Sequence, residues 1–199
     1  MTEMKFFVYG SIDEGLVHFN KIKDFVKSQL PASILGTAYR LKVGFPVVLE
    51  QGQDRVPGSL LNLQVTDFLV QLLDEFHGIN LDDKGKSLYF RQTTNVELAE
   101  GSPVEAWTYF LNPSKLPKNA TLIAGGDWQT SLRAQPPLTE MLTEKQKTYI
   151  VRLGNSTGRE IIPIDLPMYR ELMNLEMIVD KGRRIALSKS GHEVFRYLS

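Results

Sequence analysis

The chain has 199 residues, 42% of them hydrophobic and 23% charged, enough to bury a sizeable core in one large domain or one domain plus an appendage. Lys plus Arg and Asp plus Glu number 23 each, so overall charge gives no pull toward nucleic acid or an anionic membrane. Cysteine is absent, which excludes disulfides, thiolate nucleophiles and cysteine metal sites. His18, His77 and His192 are widely separated and form no HExxH arrangement, so no metal and no cofactor is expected. No signal peptide or membrane-length apolar run is present, and a cytoplasmic protein is expected.

Lys5 to Tyr9 is a short aromatic and β-branched run that reads as a strand. Gly10-Ser11 then turns the chain, and successive free N–H groups after a strand can hold an anion. Gly15 to Leu30 follows with Leu16, Phe19, Ile22, Phe25, Val26 and Leu30 at helical spacing, which predicts a helix stopped by Pro31, with His18 on its solvated side. Ile34 to Leu41, Phe45 to Leu49 and Val56 to Leu63 read as strands, with a turn at Gln51 to Asp54 and Gly58 as a bulge or close-approach point. Thr66 can cap the next helix, whose buried stripe is Phe68, Leu69, Leu72, Leu73 and Phe76 and whose C-terminal cap is Gly78. Asp82 to Lys86 is a polar turn that lacks calcium-loop spacing. Leu88 to Leu98 and Val104 to Leu111 predict a hairpin, with Trp107, Tyr109 and Phe110 giving its second strand bulk. Asn112 to Gln135 loses periodicity, and Gln135-Pro136-Pro137 reads as a linker.

Beyond the linker the pattern changes. Thr139 or Thr143 can cap a helix to about Leu153, broken by Gly154 to Gly158. Asp165 can cap a second helix that starts at Pro167, a hairpin is expected around Lys181-Gly182-Arg183, and Ser188 opens a last helix. This order is similar to a small winged-helix-like module, which raises DNA binding, with Lys181, Arg183 and Arg184 offered to phosphates. Charge argues against it: residues 139–199 carry 10 Lys or Arg against 8 Asp or Glu, and the candidate recognition helix, Leu166 to Glu176, offers Arg170 and Asn174 but also carries Glu171 and Glu176. A module for a protein partner or a homodimer is favoured over a nucleic-acid reader.

Several short segments, in order, give the first two-thirds a family resemblance. Phe7-Val8-Tyr9-Gly10-Ser11 resembles the Tyr-Gly-Ser/Thr-Leu signature of the γ-glutamylcyclotransferase-like (AIG2-like) superfamily. Gly44-Phe45-Pro46 looks like its Gly-Tyr-Pro segment, and Val56-Pro57-Gly58-Ser59-Leu60 its Val-x-Gly-Glu-Leu/Ile-Tyr strand. Leu73-Asp74-Glu75-Phe76-His77-Gly78 looks like its Leu-Asp-x-x-Glu-Gly turn. Tyr89-x-Arg91, Ala106-Trp107-Thr108-Tyr109 and Ile123 to Trp128 resemble its later strands and close. The resemblance spans residues 5 to about 130. It implies a mixed α/β (α+β) fold, a twisted β-barrel flanked by helices over 1–135, with the winged-helix-like module at 136–199.

The resemblance also implies a transferase or lyase activity on a γ-glutamyl amide or amino acid. The α-amine attacks the side-chain carbonyl, 5-oxoproline forms and an amine leaves. In the family the Tyr-Gly-Ser-Leu loop holds the γ-glutamyl or 5-oxoproline group, and the glutamate of Leu-Asp-x-x-Glu-Gly is acid and base. Here His77 occupies that glutamate's position and Ile12 that of the leucine. An imidazole can relay protons but gives a substrate ammonium no negative partner. The candidate catalytic residues are therefore His77, with Glu75 as a substitute if the turn unwinds, and Asp74 could orient the imidazole. Tyr9, Gly10, Ser11, Ile12 and Tyr89 are the candidate substrate-binding residues. The alternatives are a binding protein that has lost turnover and uses its C-terminal module to engage a partner, a nucleic-acid regulator, and, for His77 alone, a helix-end histidine favoured by the dipole.

Overall fold

The computed structural model describes residues 3–157 and 160–198. They form two compact units, Met1–Leu41 with Phe45–Ala134, and Lys42–Gly44 with Gln135–Ser199. No helix among the described residues is long and apolar enough to cross a membrane.

The first unit is a closed barrel. Its strands are β1 (Glu3–Val8), β2 (Val26–Arg40), β3 (Pro46–Gln64), β4 (Tyr89–Leu98) and β5 (Val104–Leu111), with the short β6 (Thr121–Leu122) beside β2. The order β3-β1-β5-β4-β2 closes because β2 also pairs with β3. All pairings are antiparallel except β1 with β5, where Phe6 lies opposite Trp107.

Side chains alternate across the wall. Phe7, Ile34, Ala38, Val48, Val56, Leu60, Val96, Ala106 and Phe110 come from all five strands and fill the interior. Phe6, Val8, Leu61, Leu63 and Tyr109 point outward and are covered by Leu69 and Leu73 of helix α1 (Asp67–Phe76) and by Ile12 and Ile22. Helix α2 (Trp128–Ala134) closes the unit; the Trp128 indole donates to the Pro57 carbonyl at 2.6 Å.

α1 has the ends expected for it. Thr66 Oγ1 accepts from the Leu69 N–H at 3.1 Å. Gly78, at φ 62°, ends the helix in a Schellman motif, with Ile79 N–H donating to the Asp74 carbonyl at 2.9 Å and Gly78 N–H to that of Glu75 at 3.0 Å. Phe68, expected in the buried stripe, is 64% exposed, since the buried face is narrower and centred on Leu69 and Leu73.

Three expectations are corrected. The helix over Gly15 to Leu30 is not formed: two 3-10 turns, Phe19–Lys21 and Lys23–Phe25, lead into β2, which begins at Val26. Pro31 therefore lies inside a strand, opposite Ser59; pairing with β4 begins only at Ala32, so the missing N–H falls where β2 has one neighbour. His18 is buried rather than solvated, because the turns fold it inward. The strands expected at Phe45 to Leu49 and Val56 to Leu63 are parts of one strand, β3; Gly36 pairs with Asp54 and Thr37 with Leu49, so Glu50 to Gln53 stand outside the register. Gly58 is a close-approach point: a Cβ there would meet the Val8 carbonyl oxygen at 2.2 Å.

The second unit holds α3 (Leu138–Met141), α4 (Glu144–Asn155), α5 (Leu166–Asn174), the hairpin β7 (Ile178–Asp180) and β8 (Ile185–Leu187), and α6 (Lys189–Leu198). Thr143 and Gln146 cap α4 reciprocally, Asp165 accepts from Met168 N–H at the start of α5, and Ser188 Oγ accepts from Gly191 N–H in α6. Gly154 does not break α4, which runs on to Asn155; Gly158 lies outside the described residues.

Candidate functional site

The Schellman turn fixes His77 at the end of α1. Its Nδ1–H donates to the Leu73 carbonyl at 2.8 Å, which sets the tautomer and leaves Nε2 as the acceptor. The ring stacks on Tyr109, with centroids 3.7 Å apart and planes 8° from parallel, and meets Tyr89 and Phe76 edge-on at 5.2 and 4.9 Å. Burial among these rings pushes the imidazole down to about 3; the Leu73 bond opposes this and nearby His18 adds to it. His77 is thus neutral at physiological pH.

Tyr109 is the hinge of the arrangement. Its hydroxyl donates to Asp74 Oδ1 at 2.6 Å, and Arg91 pairs with the other oxygen of Asp74 at 3.1 Å. Burial, then the bond to Asp74, pushes the phenol well above its usual range and keeps the proton on Tyr109. Asp74 therefore holds Tyr109 and Arg91; the Leu73 carbonyl, not Asp74, orients the imidazole. Arg91 also lies 5.6 Å from the Trp107 ring centre.

The turn after β1 carries the next group. Gly10–Ile12 is a buried 3-10 turn, and Gly10 needs its φ of 65° and its missing side chain, since a Cβ would meet Pro46 Cγ at 3.0 Å. Ile12 packs in the cluster under α1 with Tyr109 and Leu73. The His18 N–H donates to the Ser11 carbonyl at 2.8 Å, and the His18 ring meets Phe76 edge-on at 4.8 Å. Ser11, His18, Phe76 and His77 thus form one continuous run of contacts.

Of the residues singled out from the sequence, His77, Tyr89 and Ile12 come together on the outer face of the barrel under α1, with Gly10 and Ser11 joined through His18. Tyr9 faces the other way: its ring packs in the barrel interior, and its hydroxyl donates to the Tyr109 carbonyl at 2.8 Å. Glu75 is exposed on α1 and accepts from Gln71 Nε2 at 2.8 Å. Among the described residues, no group of three or more His, Asp or Glu could hold a metal.

A model of the family described as gamma-glutamyl cyclotransferase, AIG2-like, matches residues 6–130. The chain belongs to that family. The match ends before Gln135, where the C-terminal part of the second unit begins, and no curated protein matches the sequence. A solved structure agrees on the fold. The chain is similar to YkqA from Bacillus subtilis at 20% identity and TM-score 0.50, covering 67% of this chain and 42% of that one, so it spans under half of that protein's length. It is similar to At3g28950.1 from Arabidopsis thaliana at 20% identity and TM-score 0.49 (82% and 94% covered), and to an aig2-like protein from Mus musculus at 17% and 0.45 (59% and 82%). The closed barrel flanked by helices is the fold of the cyclotransferase family.

Three residues of the site were not foreseen. Tyr109 was legible only as bulk, although its register opposite Arg91 places both on one face. His18 was hidden by the false helical period. Asp13, directly after the Gly10–Ile12 turn, is 5% exposed; its position beside that turn was the available signal.

Proposed function

We propose that this outer-face site takes a γ-glutamyl amide or γ-glutamyl amino acid and closes it to 5-oxoproline. The reading rests on membership of the cyclotransferase family over residues 6–130 and on one observation above all. His77, at the position of the family glutamate, is held through Nδ1 so that Nε2 is free to accept a hydrogen bond. In the reaction the α-nitrogen forms a bond to the γ-carbonyl carbon and the amide C–N bond breaks. Two protons move from the α-ammonium to the departing nitrogen, which leaves as an ammonium ion. The Gly10-Ser11-Ile12 turn would hold the γ-glutamyl group, Tyr89 would line its path, and neutral His77 would orient the attacking amine toward the carbonyl. Tyr9 would act from the barrel interior, by fixing the Tyr109 backbone. Glu75, exposed and paired with Gln71, is given no part in proton transfer.

A second reading has an observation of its own. An imidazole held at about 3 is a poor base at neutral pH, which favours a protein that binds such a ligand without turnover. In that reading the C-terminal unit, of winged-helix-like order, would engage a protein partner or a second copy. The test is incubation with a panel of γ-glutamyl amines and γ-glutamyl amino acids, assayed for 5-oxoproline, with calorimetry on the same compounds. Turnover of any member, reduced in H77F, supports the enzyme. Binding without turnover, with turnover appearing in His77→Glu, overturns it in favour of the binding protein.

A further inference from the structure

His77 leaves one requirement of a γ-glutamyl ligand unmet, because a neutral imidazole offers its α-ammonium no negative charge. We propose that Asp13 supplies that charge, as the residue that binds the ligand's ammonium group; the proposal rests on the reading of the site given above.

The geometry around Asp13 is that of a carboxylate kept for a cation. It follows the Gly10–Ile12 turn directly, and its own N–H closes that turn on the Gly10 carbonyl at 2.9 Å. Oδ1 accepts from Ser59 Oγ at 2.6 Å and from the Glu14 N–H at 2.9 Å. Gln29 Nε2 in turn donates to Ser59 Oγ at 2.9 Å, so the hydroxyl is aimed by a second residue. All of these donors are neutral. Among the described residues no Lys, Arg or His pairs with Asp13, although it is 5% exposed. A buried carboxylate without a counter-charge opposes folding, and such groups are found where a ligand completes them.

Its position suits this use. Ser59 directly precedes the inward Leu60 and lies two residues before the outward Leu61, so alternation directs its side chain to the outer face, the face that carries Tyr109 and His77. Ser59 also occupies the glutamate position of the resembling Val-x-Gly-Glu strand. The chain thus lacks both glutamates of the two motifs and carries one buried carboxylate bonded to the residue at one of those positions. The burial that raises the Asp13 pKa reports the same lack of a counter-charge.

The test is calorimetry on wild type and Asp13→Asn with γ-glutamyl-alanine, its N-acetyl derivative and 5-oxoproline. The amide keeps the shape and the acceptor for Ser59 but not the charge. D13N is expected to weaken γ-glutamyl-alanine by about tenfold or more, the scale of a charge-assisted hydrogen bond. It is expected to leave 5-oxoproline, which has no ammonium, unchanged, and this ligand also reports that the variant's site is folded. Equal affinity of both proteins for γ-glutamyl-alanine overturns the proposal. So does an equal loss of all ligands, which would make Asp13 a scaffold residue. A wild type that binds γ-glutamyl-alanine no more tightly than its N-acetyl derivative also overturns it, while leaving the ligand class standing. A wild type that binds none of the compounds overturns the ligand class, and the Asp13 assignment with it.

Discussion

Acid should weaken this fold through one ring. The His77 imidazole sits at about 3 in the folded chain against an ordinary value of 6.5, so between those values the unfolded chain holds a proton that the native one does not. By linkage, the stability gained from the neutral ring is complete above about pH 6.5 and is lost as pH falls toward 3. At roughly 1.4 kcal/mol per pH unit, the loss reaches about 3 kcal/mol by about pH 4 and about 5 kcal/mol once the folded ring titrates. Phenylalanine at this position keeps the stack on Tyr109 and does not titrate. Urea unfolding of wild type and H77F at neutral pH and at about pH 4 isolates the effect, since every other titrating group is shared. Wild type should lose about 3 kcal/mol more than H77F over that interval. Parallel losses would refute the neutral, part-buried imidazole and, with it, the role given to Nε2.

Asp13 carries the opposite sign. Burial raises its pKa, so stability is greatest where it is protonated and falls as pH rises from 3.8 through the raised folded value; D13N should therefore melt higher than wild type at neutral pH, as scanning calorimetry would record. Tyr109→Phe removes the hydroxyl that donates to Asp74 and should cost about 1–3 kcal/mol in denaturant melts, much of it recovered when Asp74→Asn is added. Gly10→Ala must hold φ 65° against Pro46 and should lower stability by about 1 kcal/mol or more in the same assay. Asp165→Ala removes the α5 cap and should lower the denaturation midpoint in the same assay.

The parts legible in the sequence were those with local chemistry. Thr66 and Gly78 mark the ends of α1 because capping is decided within a few residues. The β4–β5 hairpin was legible for the same reason, and its register runs from Tyr89 opposite Leu111 to Val96 opposite Val104. The segment from Gly15 to Leu30 misled because its apolar residues fit a helical period, while the pairing of Val26 to Pro31 with residues 59–63 decides its structure, and such long-range pairing leaves no local mark. His18 inherited that error. Within the site, the family motifs led to His77 and the Gly10 turn, but which face each residue occupies required the closed barrel. Tyr9 and Tyr109 look alike as strand aromatics, yet alternation sends one ring inward and the other outward.

Tyr109 has a further consequence. Its carbonyl is gripped by Tyr9 from the interior, while its ring outside is held by Asp74 and stacked by His77. The barrel wall here is a single peptide thick, so nothing cushions the proposed ligand site against what fills the core. A change of volume at Phe7 or Tyr9 would tilt the surface on which the imidazole rests without altering any residue that meets a ligand. Relatives with every outer residue in common could then differ in ligand preference through their interiors alone, and libraries that vary only the visible site would miss half of what tunes it.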